Sequence, residues 1–200
     1  MFVFVPMNST PTYPTPEQAT AETRAWLEHA VIGLNLCPFA KAVHAKGQIR
    51  YVVSEDTDPE DLLTTLCDEL QFLAKADPEE VDTTLIVHPW VLADFLDFND
   101  FLDLADQAVE DMGLDGVLQV ASFHPDYQFE GTEPEDVSNA SNRSPYPTLH
   151  LLREASVDRA VDAFPEADRI YEANIETLKQ LGPQGWAELQ AQIRREANKG

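Results

Sequence analysis

Apolar residues along this chain recur first at helical spacing and then alternate between strand-like and helix-like runs. In TPEQATAETRAWLEHAVIGL (15–34), Trp26, Leu27, Ala30, Val31 and Leu34 form one stripe, the signature of an amphipathic helix. Thr15 is placed to cap it, with Gln18 three residues on completing a capping box. Pro16 suits the first helical position, and Glu17 suits the positive end of the helix dipole. The pattern fades at Gly33–Asn35, where this helix is expected to end. QIRYVVSE (48–55) then reads as a strand, followed by an amphipathic helix over 58–76 capped by Asp58. TTLIVHP (83–89) is a second strand, 90–113 a long helix stopped by Gly113, and GVLQVASF (116–123) a third strand.

Residues 124–147 show no periodicity and read as a long loop, a length at which loops tend to be functional or disordered. TLHLLRE (148–154) is expected to be a fourth strand. If it were helical instead, His150, Arg153 and Glu154 would share a face. Ser156 is placed to cap SVDRAVDAF, Pro165 to open a helix that stops at Gly182–Pro183, and a last helix fills 183–197. Strands alternating with helices imply crossover connections. The expected class is therefore α/β: a mixed sheet of about four strands flanked by helices, with a helical N-terminal lead and C-terminal helices. A loose Pro- and Thr-rich segment (1–14) would precede one globular domain (15–200).

Charge narrows the functions available. Thirty-six acids against thirteen bases give a formal charge of −23, the opposite of what phosphate-backbone binding requires. The same balance argues against nucleic acid and anionic membrane surfaces as partners, and it fits a solvated acidic coat. The N-terminus lacks a basic region, and no apolar run approaches the ~18–20 residues of a membrane span, so the expected location is the cytoplasm. Cys37 and Cys67 belong to no CxxC pair, which argues against a disulfide scaffold or zinc knot.

Several residues could carry chemistry. His88 and His124 each follow an apolar strand and precede a proline. With parallel strands both imidazoles would stand at the carboxyl edge of the sheet, where open α/β folds place ligands. Glu55 ends the first strand at that edge, so His88, His124 and Glu55 could hold a divalent metal such as Zn²⁺ or Fe²⁺. Their spacing fits no linear metal motif, and the calcium-loop pattern fails at both Asp56 and Asp126. The structural alternative is that each histidine bonds backbone carbonyls at a strand end. Arg143 sits in a proline-stiffened turn suited to gripping a carboxylate or phosphate, with Asn142 beside it and Arg153 ten residues on. Cys37 follows a helix end and has Lys41 and His44 nearby, cations that favour a thiolate; a buried, inert thiol is the alternative.

GLNLCPFAKAVH (33–44), ASFHPDYQF (121–129) and NRSPYPTLHLLREAS (142–156) together resemble the uncharacterised bacterial family DUF1415, over roughly Ala21 to Trp186. The resemblance implies a bacterial cytoplasmic protein, and it draws Cys37, His124, Asn142, Arg143, His150 and Arg153 together as a set. It implies no mechanism. The family carries an aromatic residue and a threonine just before NR, where this chain has Ala140 and Ser141. Two functions are expected from these residues. One is an enzyme acting on a small anionic substrate by hydrolysis or group transfer, with or without a metal. There His124, His150 and Cys37 would be catalytic, and Arg143, Arg153, Asn142 and Lys41 would bind substrate. The other is a non-catalytic metabolite-binding or partner-binding protein that uses the same cluster as architecture.

Overall fold

A computed structural model describes residues 13–164 and 166–199. The expectations for residues 1–12 and for Pro165 as a helix start lie outside the described residues. Four strands, β1 (Ile49–Val53), β2 (Thr83–Val87), β3 (Leu118–Phe123) and β4 (Thr148–Arg153), form one sheet in the order β1-β2-β4-β3. β1 and β2 are parallel, and β4 runs antiparallel to both of its neighbours, β2 and β3. The first three strands therefore point one way, with the fourth reversed between β2 and β3. This is the expected mixed sheet, and it fixes residues 148–153 as strand.

Each face of the sheet is covered by helices. On one side lie α3 (Pro59–Lys75) and α4 (Phe95–Asp111). Leu62, Leu66, Leu70 and Leu73 of α3 and Phe98, Phe101 and Ala105 of α4 pack on Ile86, Leu118, Leu149 and Leu151. At about 1.5–3 kcal/mol for each large side chain taken from water, this layer is the main source of cohesion. On the other side lie α1 (Pro16–Trp26), the turn that continues it, and α6 (Ile170–Ala197). Here Trp26, Leu27, Ala30, Leu178, Trp186 and Ile193 meet Ile49, Tyr51 and Phe123.

Local chemistry explains where several elements differ from the sequence pattern. Thr15 caps α1 through Gln18 N–H at 3.2 Å, but the Gln18 side chain turns to Glu22 instead of closing a capping box. After Trp26 the helix widens to π geometry over Leu27–Ile32 and stops at Gly33, where a Cβ would collide with the His29 carbonyl. A short α2 (Ala40–Ala45) follows, with no periodicity to announce it. α4 begins at Phe95, not at residue 90, for two reasons. Leu92 adopts a left-handed φ of 57°, and the Asp94 carboxylate takes the Leu96 and Asp97 N–H groups at 2.8 and 3.2 Å. Asp94→Ala is expected to cost about 1 kcal/mol, read as a lower urea midpoint with unchanged slope.

The chain passes from β4 directly into α5 (Glu154–Ala163). Ser156 is therefore inside that helix and not its cap, and its hydroxyl donates to Asp82 at 2.6 Å. α6 breaks at Gly182, whose φ of 72° accounts for the expected stop before Pro183.

Candidate functional site

The parallel arrangement of β1, β2 and β3 brings His88 and His124 to the same carboxyl edge, as their positions suggested. Both are fully buried. The tight turn before α4 explains their use. His88 Nδ1 donates to the Val91 carbonyl at 3.1 Å, and His124 Nε2 donates to the Leu92 carbonyl at 3.3 Å. His124 Nδ1 accepts from the Asp126 N–H at 3.0 Å, which fixes its tautomer and occupies both ring nitrogens. Phe98 lies against both rings, with centroids 5.6 Å from His88 and 5.1 Å from His124.

Burial pushes the His88 pKa down to about 4, opposed by its bond to Val91 and helped by the neighbouring His124; burial lowers His124 too. These two side chains satisfy carbonyls of a turn that would otherwise be buried unpaired. Glu55 is exposed, and no group of three His, Cys, Asp or Glu among the described residues is placed to hold a metal ion. The expected His88–His124–Glu55 ligand set is thus not assembled.

His150 points to the opposite face of the sheet from His88 and His124. Thr83 Oγ1 donates to the Leu151 carbonyl at 2.6 Å, so its contact with His150 Nε2 at 2.7 Å makes that nitrogen the donor. Burial lowers the His150 pKa to about 4. Arg153, on the alternate face of β4, directs one guanidinium nitrogen at the carbonyls of Leu73, Ala76 and Val81, at 2.7, 2.8 and 3.1 Å. It closes the C-terminal end of α3 and is not free to bind a substrate. His150 and Arg153 consequently do not act together.

Cys37 packs in the apolar layer of α1 and α6, across the sheet from the His124–Phe98 stack. Burial raises its thiol pKa, against two backbone N–H contacts from Phe39 and Ala40 that oppose the rise, so the thiol is held protonated. The loop that carries it is fastened by Asn174, which donates to the Leu36 carbonyl at 2.9 Å. Lys41 is exposed on α2 and joins no hydrogen bond or ion pair among the described residues.

The long 124–147 segment is held by its own polar side chains. Buried Asn139 accepts from the Phe129 N–H and the Thr132 hydroxyl and donates to the Glu133 carbonyl, at 3.0, 2.9 and 2.9 Å. The Asp136 carboxylate caps a 3-10 turn over Val137–Asn142. Asn142 donates to the Ser122 carbonyl at 3.3 Å, and its own carbonyl accepts from the His124 N–H at 3.2 Å, tying the segment to β3. Arg143 clamps the loop from inside, with Nε on the Tyr127 carbonyl at 3.1 Å and one Nη on the Pro134 carbonyl at 2.7 Å. Its remaining Nη has no protein partner among the described residues.

Arg143 also lines a cleft. Where the RSPYP turn meets α1 and α6, a cavity of about 60 Å³, open to solvent, is lined by Glu22, Trp26, Arg143, Ser144, Trp186 and Arg194. Glu22 is only 7% exposed. Its two oxygens accept from the Gln18 amide at 3.2 Å and the Tyr146 hydroxyl at 2.8 Å. Burial, together with the Glu22 carboxylate, pushes the Tyr146 pKa up, so the phenol stays protonated and donates. Arg143 apart, none of these cleft residues was marked in the sequence as a candidate for chemistry. A signal existed for Glu22: it lies in the stripe Ala19, Glu22, Thr23, Trp26, whose i, i+3, i+4, i+7 spacing marks the buried face of α1. A carboxylate in a buried stripe is the anomaly that could have pointed here. Arg194 and Trp186, on a distant helix, carry no comparable mark.

No curated protein and no solved structure matches this chain. The profile of the family described as Protein of unknown function (DUF1415) matches residues 18–188, which takes in most of α1, the sheet, the clamped loop and the cleft residues as far as Trp186, with Arg194 beyond it. By that match the chain belongs to the DUF1415 family.

Proposed function

We propose that this protein binds a small anionic metabolite in the cleft between α1, α6 and the RSPYP turn, and that it does so without catalysis by its histidines or cysteines. The observation that carries this reading is the orientation of Arg143. Two of its five N–H donors are held by backbone carbonyls, which fixes the guanidinium of a cleft-lining residue at little entropic cost and leaves three donors without a protein partner among the described residues. Arg194 adds a second guanidinium, and two tryptophans supply apolar wall. At about 60 Å³ the cavity is below the usual range for drug-sized ligands, so it suits a small one. The catalytic alternative loses support because His124 spends both ring nitrogens on the backbone, His150 bonds Thr83 inside the fold, and the Cys37 thiol is held protonated. The acidic balance argues against nucleic acid as a partner, and the resemblance noted above favours a bacterial cytoplasm. Among the described residues no helix is long and apolar enough to cross a membrane.

The reading is tested by calorimetric titration of the wild type and Arg194→Ala with phosphate, propionate, 3-phenylpropionate and glutarate. Arg194 is exposed, so the variant should keep its melting temperature. Loss of one charge-assisted hydrogen bond, about 1.5–3 kcal/mol, should weaken the bound anion tenfold or more. Equal binding by the variant, or failure of the wild type to bind any of these anions or their amino-bearing counterparts at millimolar concentration, would overturn it.

A further inference from the structure

Glu22 is hard to explain if the cleft receives a simple anion. It is a buried carboxylate whose partners, the Gln18 amide and the Tyr146 phenol, are both uncharged. Among the described residues no Lys, Arg or His lies within ion-pairing distance of it. Buried charges are ordinarily paired, because neutral donors return only part of the lost hydration. Arg143 lines the same cleft but cannot turn to Glu22 without releasing the carbonyls of Tyr127 and Pro134. Arg194 is exposed, on the far helix. The cleft thus presents one fixed negative group and two positive ones that do not neutralise each other.

We infer that the ligand is a zwitterion of the α-amino acid type, its carboxylate held by Arg143 and Arg194 and its ammonium by Glu22. This rests on the anion-binding reading above and names the ligand class for the same site. The ammonium supplies the cation that Glu22 lacks, and the carboxylate takes the free donors of the arginines. Trp26 and Trp186 receive the apolar part, and cation–π attraction from the indoles adds to the hold on the ammonium. A simple anion would leave Glu22 facing a negative ligand across the cleft, which disfavours it.

The test compares matched pairs by calorimetry on the full chain: alanine with propionate, phenylalanine with 3-phenylpropionate, and glutamate with glutarate, with phenethylamine as the cation alone. In the wild type at least one amino acid should bind tenfold or more tightly than its des-amino partner and than the amine. In Glu22→Gln, which keeps an oxygen for the Tyr146 hydroxyl, that preference should fall to within about twofold, the carboxylate contacts being intact. If des-amino acids bind as well as or better than amino acids in the wild type, the zwitterion is overturned and the anion-binding reading stands. If neither series binds, both fall. Should Glu22→Gln not fold, the wild-type pairs still decide, and Tyr146→Phe, which leaves the Glu22 charge in place, should keep the preference.

Discussion

Lowering the pH from 7 to 4.5 should destabilise this protein by several kcal/mol, even as its net charge falls towards zero near its pI of 4.3. The cause lies in His88 and His150, each lowered by burial from 6.5 to about 4. Between those values the unfolded chain takes up a proton at each site and the folded chain does not. Stability therefore rises with pH across this window. The contribution is fully present above pH 6.5 and is lost progressively as pH falls towards 4. A shift of that size corresponds to about 3 kcal/mol for each histidine. Relief of self-repulsion among the acidic side chains works in the opposite direction.

The two effects separate by substitution. His150→Gln keeps a nitrogen donor for Thr83, and His88→Asn keeps one for the Val91 carbonyl, while neither titrates. Urea denaturation at pH 7.5, 6.5, 5.5 and 4.5 should show a steep loss in the wild type, a slope reduced by about one proton in each variant, and in the double variant only a residual slope, to which His124, also lowered by burial, contributes. Slopes that do not change would mean that the buried imidazoles are not the acid-sensitive groups.

The histidines also show how far the sequence carried and where it stopped. The run at 83–87 is a strand because it is continuous, β-branched and bounded by turns, the nearly continuous run at 118–123 is another, and their common direction put His88 and His124 at one edge as expected. What no periodicity could express is the turn at 90–94, whose left-handed Leu92 delivers two carbonyls to those same rings. Composition marked polar residues in an apolar setting as chemistry, whereas here they satisfy backbone. The same holds for the long segment after β3. It lacks periodicity because Asn139, Asp136 and Arg143 hold it through side-chain bonds to specific carbonyls and amides. Such bonds have no sequence period. The cleft was invisible for another reason: Glu22, Arg143 and Arg194 meet only through packing of the two chain ends against each other.

Arg153 offers the sharpest separation between a binding residue and an architectural one. Replacing it with methionine should cost about 3–4 kcal/mol, since the charged donor that serves three carbonyls at the end of α3 disappears and those acceptors stay in a partly buried place. Replacing it with lysine should cost much less, about 1 kcal/mol. An ammonium carries three protons in a compact group, and all three contacts converge on a single guanidinium nitrogen. The Arg153 Nε is buried without a partner, so lysine also removes an unsatisfied donor. A bidentate substrate site would behave in the opposite way, because lysine cannot reproduce the planar fork. Urea midpoints of Arg153→Met and Arg153→Lys, read beside ligand affinity in the cleft, distinguish the two. Cap function predicts a large loss for methionine, near-retention for lysine, and unchanged affinity in whatever fraction remains folded. Equal stability losses with weakened ligand binding would return Arg153 to the binding site.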